Sequence, residues 1–156
     1  MDETAKILII DDDENIRKAL AAVLEDEGYI VEAVDTAKKG IEKTETGFFN
    51  LALIDVRLPD MEGVDLLPRL RETSPRIRKL IITGYPTLQN AAAAVNKGAD
   101  AYVTKPFDVE KTLQTVKEQL KKQSEERKFN EKRVAEFIET RVKELETADR
   151  IAKNRA

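Results

Sequence analysis

The chain has 156 residues, no cysteine and no histidine, 27 Lys and Arg against 30 Asp and Glu, and a formal net charge of −3. That length holds one ordinary domain plus an appendage, with enough mass to bury a core, while the two absences exclude disulfides, thiolate metal sites and histidine chemistry. Chemistry therefore falls to carboxylates, lysine, threonine or a bound metal, and with no apolar run near the ~20 residues of a membrane span the expected location is cytoplasmic.

Ile7 to Ile10 is a short apolar run suited to a strand buried on both faces, and it stops at acids. Ile16, Ala19, Leu20, Val23 and Leu24 then recur at helical spacing, with Gly28 as the stop. Ile30 to Val34 reads as a second strand, and Thr36 caps a helix running to about Thr44 and ended near Gly47. Leu51 to Ile54 is the third strand, and Val64 to Arg71 is predicted as a helix with Leu66, Leu67 and Leu70 inward, broken at Ser74-Pro75. Leu80 to Ile82 forms a fourth strand, Leu88 to Lys97 an alanine-rich helix closed by Gly98, and Ala101 to Thr104 a fifth strand. Val109, Leu113, Val116 and Leu120 mark a fifth helix. Strands alternating with helices in this way predict an α/β fold: a doubly wound five-stranded parallel sheet, flavodoxin-like with strand order 2-1-3-4-5, and right-handed crossovers by rule.

Beyond Leu120 the character changes. Residues 121 to 156 hold 11 Lys and Arg against 8 acids, so the tail is mildly basic and the body before it acidic. Its signs interleave, as on a solvated helix face, rather than clustering into a nucleic-acid stripe, and no direct nucleic-acid contact is expected. Between Lys121 and Arg133 the only large apolar residue is Phe129; then Val134, Phe137, Ile138, Val142, Leu145 and Ala148 return at spacings of three and four. The expected organisation is a domain over residues 1–122 and a helical extension over 123–156. The extension is one long helix or two joined by a polar stretch, with an apolar stripe that needs a partner surface.

The chemistry-bearing residues stand at the ends of separate strands: Asp11 and Asp12 after the first, Asp55 after the third, Thr83 after the fourth and Lys105 after the fifth. In a parallel sheet those ends share one rim, where open α/β sheets bind ligands. Asp13 suffices as a helix cap through the amides near Ile16. Asp11 and Asp12 exceed that need, and oxygen ligands at a buried strand end suit Mg²⁺. Asp55 beside them would meet like-charge repulsion that a cation and Lys105 relieve. A hydroxyl and an ammonium converging on Asp55 are the donors an incoming phosphoryl group requires.

IIDDDEN, ALIDVRLPDMEG, LIITGYP and AYVTKPF resemble, in order and interval, the signatures of the receiver domain of two-component response regulators, over residues 6 to about 120. The resemblance implies that Asp55 is the phosphoacceptor, supplied by a sensor histidine kinase or phosphotransfer protein. It also implies that Asp12, Asp55 and the backbone carbonyl of Arg57 bind Mg²⁺, with Asp11 acting mostly through water. Thr83 would bond the phosphoryl oxygen, Lys105 would pair with it, and Tyr102 would move with Thr83 as a switch. The face formed by the fourth helix, fifth strand and fifth helix would then change shape. A cis Lys105-Pro106 bond is implied as well. By the same resemblance the chain is no enzyme toward other substrates, catalysing only its own phosphorylation and slow autodephosphorylation.

Arg57 and Tyr85, each two residues past a site residue, are bulky and expected to flank the water route to the acyl phosphate, slowing autodephosphorylation. After residue 120 too little chain remains for a helix-turn-helix module, which predicts a stand-alone regulator or a fragment. Its tail pairs with a second copy as an imperfect coiled coil, binds a partner protein, or folds back on its own domain. Other classes fit less well. An Asp-nucleophile phosphatase of the haloacid dehalogenase type needs an acid where Arg57 stands, a flavin module needs a phosphate loop after the first strand, and a degenerate docking receiver would have lost a site residue.

Overall fold

The protein is described from a computed structural model covering residues 4–84, 86–105 and 108–155. The apolar runs become strands β1 (Lys6–Ile10), β2 (Ile30–Val34), β3 (Leu51–Asp55), β4 (Arg78–Thr83) and β5 (Ala101–Thr104). They form one parallel sheet in the order β2-β1-β3-β4-β5. Between and after them lie helices α1 (Glu14–Asp26), α2 (Ala37–Thr46), α3 (Gly63–Leu66), α4 (Leu88–Asn96) and α5 (Val109–Asn154). Alternation along the strands sends side chains to opposite faces. Leu8, Ile10, Ala52, Ile54 and Ile81 pack with Ala37, Leu66 and Ala94 on one face. Ile7, Ile9, Leu51, Leu53, Leu80 and Ile82 pack with Leu20, Leu24 and Val116 on the other. Burying each of these leucines and isoleucines contributes roughly 1.5–3 kcal/mol.

Local chemistry sets the element ends. Asp13 caps α1, its Oδ1 accepting the Asn15 amide at 2.9 Å and the Ile16 amide at 3.2 Å, as its position predicted. Thr36 caps α2 by accepting the Lys39 amide at 3.1 Å. Gly28 and Gly98, at φ +95° and +103°, close α1 and α4 in the left-handed region that a side chain disfavours.

The sequence-based expectations fail in one helix and one strand. Instead of a helix from Val64 to Arg71, α3 ends at Leu66 and a 3-10 turn covers Leu67–Arg69. Pro68 is the cause: it has no amide to donate and its ring crowds the preceding turn. β4 begins at Arg78 rather than Leu80, taking Lys79 into the sheet. That buried ammonium donates to the Leu67 carbonyl at 2.6 Å, and the Lys79 amide donates to Asp100 Oδ2 at 2.9 Å.

The chain divides into two compact units, Met1–Gln123 and Ser124–Ala156. In the first, α5 presents Val116, Gln119 and Gln123 to the interior. Gln123 Nε2 donates to the carbonyls of Asn50 (2.8 Å) and Arg76 (2.7 Å), and its Oε1 accepts from Asn50 Nδ2 at 3.1 Å. The second unit is helical without a break through Asn154, so of the two arrangements the sequence left open the single helix is found. Lys143 with Glu139 (3.2 Å) and Lys153 with Asp149 (3.0 Å) form ion pairs one turn apart. Each such pair contributes about 0.3–0.5 kcal/mol. Phe129, Val134, Phe137, Ile138, Val142, Leu145 and Ile151 are exposed along it. Among the described residues no helix is long and apolar enough to cross a membrane.

Candidate functional site

The carboxyl ends of β1 and β3 lie side by side, because Ile10 pairs with Ile54 in register. The residues that follow or end these strands, Asp11 and Asp55, are therefore neighbours. Asp11 is fully buried and Asp55 is 7% exposed, whereas Asp12 is exposed. One carboxylate oxygen from each of Asp11, Asp12 and Asp55 lies within 4.8 Å of the other two. Two buried carboxylates at that range repel by roughly 3–4 kcal/mol at an effective dielectric near 20.

Lys105 supplies part of the compensation. Its Nζ stands 3.5 Å from Asp11 Oδ2 and 3.5 Å from Asp55 Oδ2. The backbone holds it there, since the Lys105 amide donates to the Thr83 carbonyl at 2.7 Å. Thr83, at the end of β4, is buried and pairs in register with Thr104 of β5. The sheet thus brings Asp11, Asp12, Asp55 and Lys105 together, and the Lys105 amide joins Thr83 to them. Tyr102, in β5, packs against the core face that holds Ile54 and Ile81. Its hydroxyl is buried without a hydrogen-bond partner.

The Asp11 carboxyl is electrostatically perturbed. Burial pushes its carboxyl above the ordinary value, and the Asp55 charge adds to this; the Asp13 amide and Lys105 oppose it. Its Oδ1 accepts the Asp13 amide at 2.9 Å, while Oδ2 is buried and accepts no hydrogen bond. An orphaned buried carboxylate oxygen beside two further carboxylates is a donor set that fits a hard divalent cation taking oxygen ligands. Arg57 enters through its backbone: its amide donates to Asp55 Oδ1 at 3.2 Å, and its side chain is exposed. Tyr85 and the Lys105-Pro106 bond lie outside the described residues.

Two residues of the ALIDVRLPDMEG segment make contacts that the sequence does not show. Gly63 lies so close to the Asp55 backbone carbonyl that a Cβ would collide with it. Asp60 leaves its own loop to hydrogen-bond the amides of Ala37 and Lys38. Either contact is visible only once α2 and α3 are folded against β3.

A family model, the response regulator receiver domain, matches residues 7–117. The chain belongs to the response regulator receiver family. The receiver is 36% identical over 105 residues to the transcriptional regulatory protein BasR of Escherichia coli, a match covering 67% of this chain and 47% of BasR. It spans about half the length of the curated relatives it matches. A CheY-like receiver domain protein from Methanospirillum hungatei is similar in structure, with a TM-score of 0.75, 44% identity, and coverage of 80% of this chain and 99% of that one. The beryllofluoride-activated NtrC4 receiver domain dimer gives a TM-score of 0.71 at 35% identity, covering 76% and 98%. Function in this family is phosphorylation on an aspartate in two-component signalling. The phosphatase, flavin and docking-only alternatives gain no support over it.

Proposed function

We propose that Asp55 is the phosphoacceptor of this receiver and that the phosphoryl group comes from a phosphohistidine on a sensor histidine kinase or phosphotransfer protein. The supporting observation is the placement of Asp55 Oδ2, at the end of β3 and 3.5 Å from Lys105 Nζ. In the transfer, an Asp55 carboxylate oxygen forms a bond to phosphorus as the bond from phosphorus to the imidazole nitrogen breaks. The nitrogen keeps the electron pair, and the imidazole leaves neutral when its second nitrogen is already protonated. Lys105 neutralises charge on the transferring oxygens, and the Thr83 hydroxyl donates to one of them.

Asp11, Asp12, Asp55 and the backbone carbonyl of Arg57 would hold Mg²⁺. When bound, magnesium supplies charge neutralisation and orientation of the phosphoryl oxygens. The orphaned Asp11 Oδ2 supports that assignment. An aspartyl phosphate adds negative charge and acceptor oxygens. Thr83 moves toward them, and Tyr102, whose unpartnered hydroxyl leaves it without a polar tether, shifts with it. The face of α4, β5 and α5 is the output surface. The exposed Arg57 shields the acyl phosphate from water, which a longer phosphoprotein half-life than in Arg57→Ala would support. The protein acts in the cytoplasm, as a regulator of its partners and without external substrates.

The extension over 123–156 pairs with a second copy or with a partner protein through its exposed apolar stripe. Sedimentation of the full chain beside one ending at Lys122 tests this; unchanged monomer mass in both eliminates the homodimer. Intact-mass spectra after incubation with acetyl phosphate test the central proposal. A single phosphoryl group is expected on the wild type with Mg²⁺, and none without the metal or on Asp55→Asn. Addition to Asp55→Asn would transfer the role to another residue.

A further inference from the structure

The loop that follows Asp55 is fastened at both its base and its tip. At the base, the Gly63 amide donates to the Val56 carbonyl at 2.7 Å, and Arg57 forms an isolated antiparallel bridge with Glu62. At the tip, Asp60 Oδ1 accepts the Ala37 amide and Oδ2 the Lys38 amide, both at 2.9 Å. These donors belong to the first turn of α2, 23 and 22 residues earlier in the chain. The two bonds, led by that from Lys38, hold the Asp60 carboxyl below its ordinary 3.8 although burial opposes them.

A helix start leaves four amides without intrahelical partners. Thr36 already serves α2 from the N-cap position, through the Lys39 amide. Asp60 takes two of the remaining donors from another element. Its carboxylate also meets the positive end of the α2 dipole, which favours the ionised form at this place. The consequence of that contact falls on the loop, because α2 has its own cap in Thr36 whereas the two Asp60 bonds run from the loop tip across to α2.

We propose that Asp60 is a positioning residue for the aspartyl site: by fastening the 56–63 loop to α2, it fixes the backbone behind Asp55 and so the placement of the carboxylates that take Mg²⁺ and the phosphoryl group. The inference rests on the function proposed above and adds to it a mechanical link between α2 and the acceptor.

The test compares Asp60→Ala, Asp60→Asn and Thr36→Ala in the full chain, each first shown to be folded by circular dichroism. Amide hydrogen exchange at Arg57 and Gly63 is measured without metal, and Mg²⁺ affinity by calorimetric titration. Asp60→Ala loses two charge-assisted bonds and is expected to speed exchange at both amides and to weaken Mg²⁺ binding by about tenfold or more. Asp60→Asn keeps one acceptor oxygen and falls between. Thr36→Ala weakens the same helix terminus but leaves the loop tied, so exchange and affinity stay at wild-type values. If Thr36→Ala matches Asp60→Ala, the effect is merely that of destabilising α2 and the inference is overturned; wild-type exchange and affinity in Asp60→Ala overturn it equally. A wild-type chain that accepts no phosphoryl group from acetyl phosphate would count against the proposed function, while the exchange comparison still decides whether Asp60 fixes the loop.

Discussion

Gly63 packs against the backbone carbonyl oxygen of Asp55, and a Cβ at residue 63 has no place to go because the obstacle is main chain. At Gly40, by contrast, an added Cβ meets the Cδ1 end of the Ile10 side chain rather than main chain. Gly63→Ala is therefore expected to cost about 1–3 kcal/mol, the usual range for overpacking, and to displace Asp55, lowering its phosphorylation rate. Gly40→Ala should cost less and leave that rate unchanged. Urea denaturation and acetyl phosphate labelling of the two variants check both expectations.

The crowding of Asp11 and Asp55 predicts opposite responses with and without metal. Asp11→Asn keeps an acceptor for the Asp13 amide while removing a buried charge whose Oδ2 accepts no hydrogen bond. Without metal the variant should be as stable as the wild type or more so, by about 1 kcal/mol. Saturating Mg²⁺ should raise the wild-type melting temperature, since a ligand at about 100 times its dissociation constant contributes about 2.7 kcal/mol. Differential scanning calorimetry should find that increase absent from Asp11→Asn.

Gln123 fills three hydrogen-bonding roles at once, two to carbonyls and one to the Asn50 amide. Gln123→Leu fits a similar volume but removes the acceptor for Asn50 Nδ2 and the donor to two carbonyls. A loss of about 1–3 kcal/mol follows. Chemical denaturation of the full chain measures it, and Glu118→Ala on the exposed side of α5 serves as a control expected within about 0.5 kcal/mol of wild type.

Asp100 makes stability fall in acid. Burial raises its carboxyl, but hydrogen bonds from Arg76 at 2.6 and 3.0 Å and from the Lys79 amide at 2.9 Å, with the Arg78 charge, outweigh it, and the group sits below its ordinary 3.8. A depressed carboxylate contributes stability that is complete above the unfolded value and is lost as pH falls through the folded one. Unfolding free energy should therefore decline from about pH 4 downward. Asp100→Asn should be less stable at neutral pH and show a flatter profile in that acid window, measured by urea midpoints across pH.

Much of this fold is written in hydropathy. The strands at Ile7 to Ile10 and Leu51 to Ile54 are apolar on both faces and end at acids, so they and the rim they build can be read without coordinates. Asp13 and Thr36 likewise declare themselves as caps, because capping is a local interaction. Three features escape such reading for a common reason. Lys79 is a charged residue in a buried strand, satisfied by a carbonyl 12 residues earlier. Gln119 and Gln123 occupy the inward face of α5 at helical spacing from Val116, yet score as polar. Asp60 looks like a turn residue and acts on a helix 22 residues upstream. In each case the partner is supplied by tertiary structure, and such a partner cannot be inferred from the residue's own neighbours in sequence. The shortened α3 is different: Pro68 is a local signal, and its cost to a helix outweighs the leucine periodicity around it.

The strand order also gives the site a history within each molecule. β1 lies between β2 and β3, so the first half of the chain holds what it needs to pair three strands and set Asp11, Asp12 and Asp55 beside one another. Lys105, which faces two of these acids, arrives with the fifth strand about 50 residues later. During synthesis from the N-terminus the negative charges are made long before the lysine that faces them. A chain stopping between β3 and β5 thus contains all three acids and lacks the lysine that faces two of them.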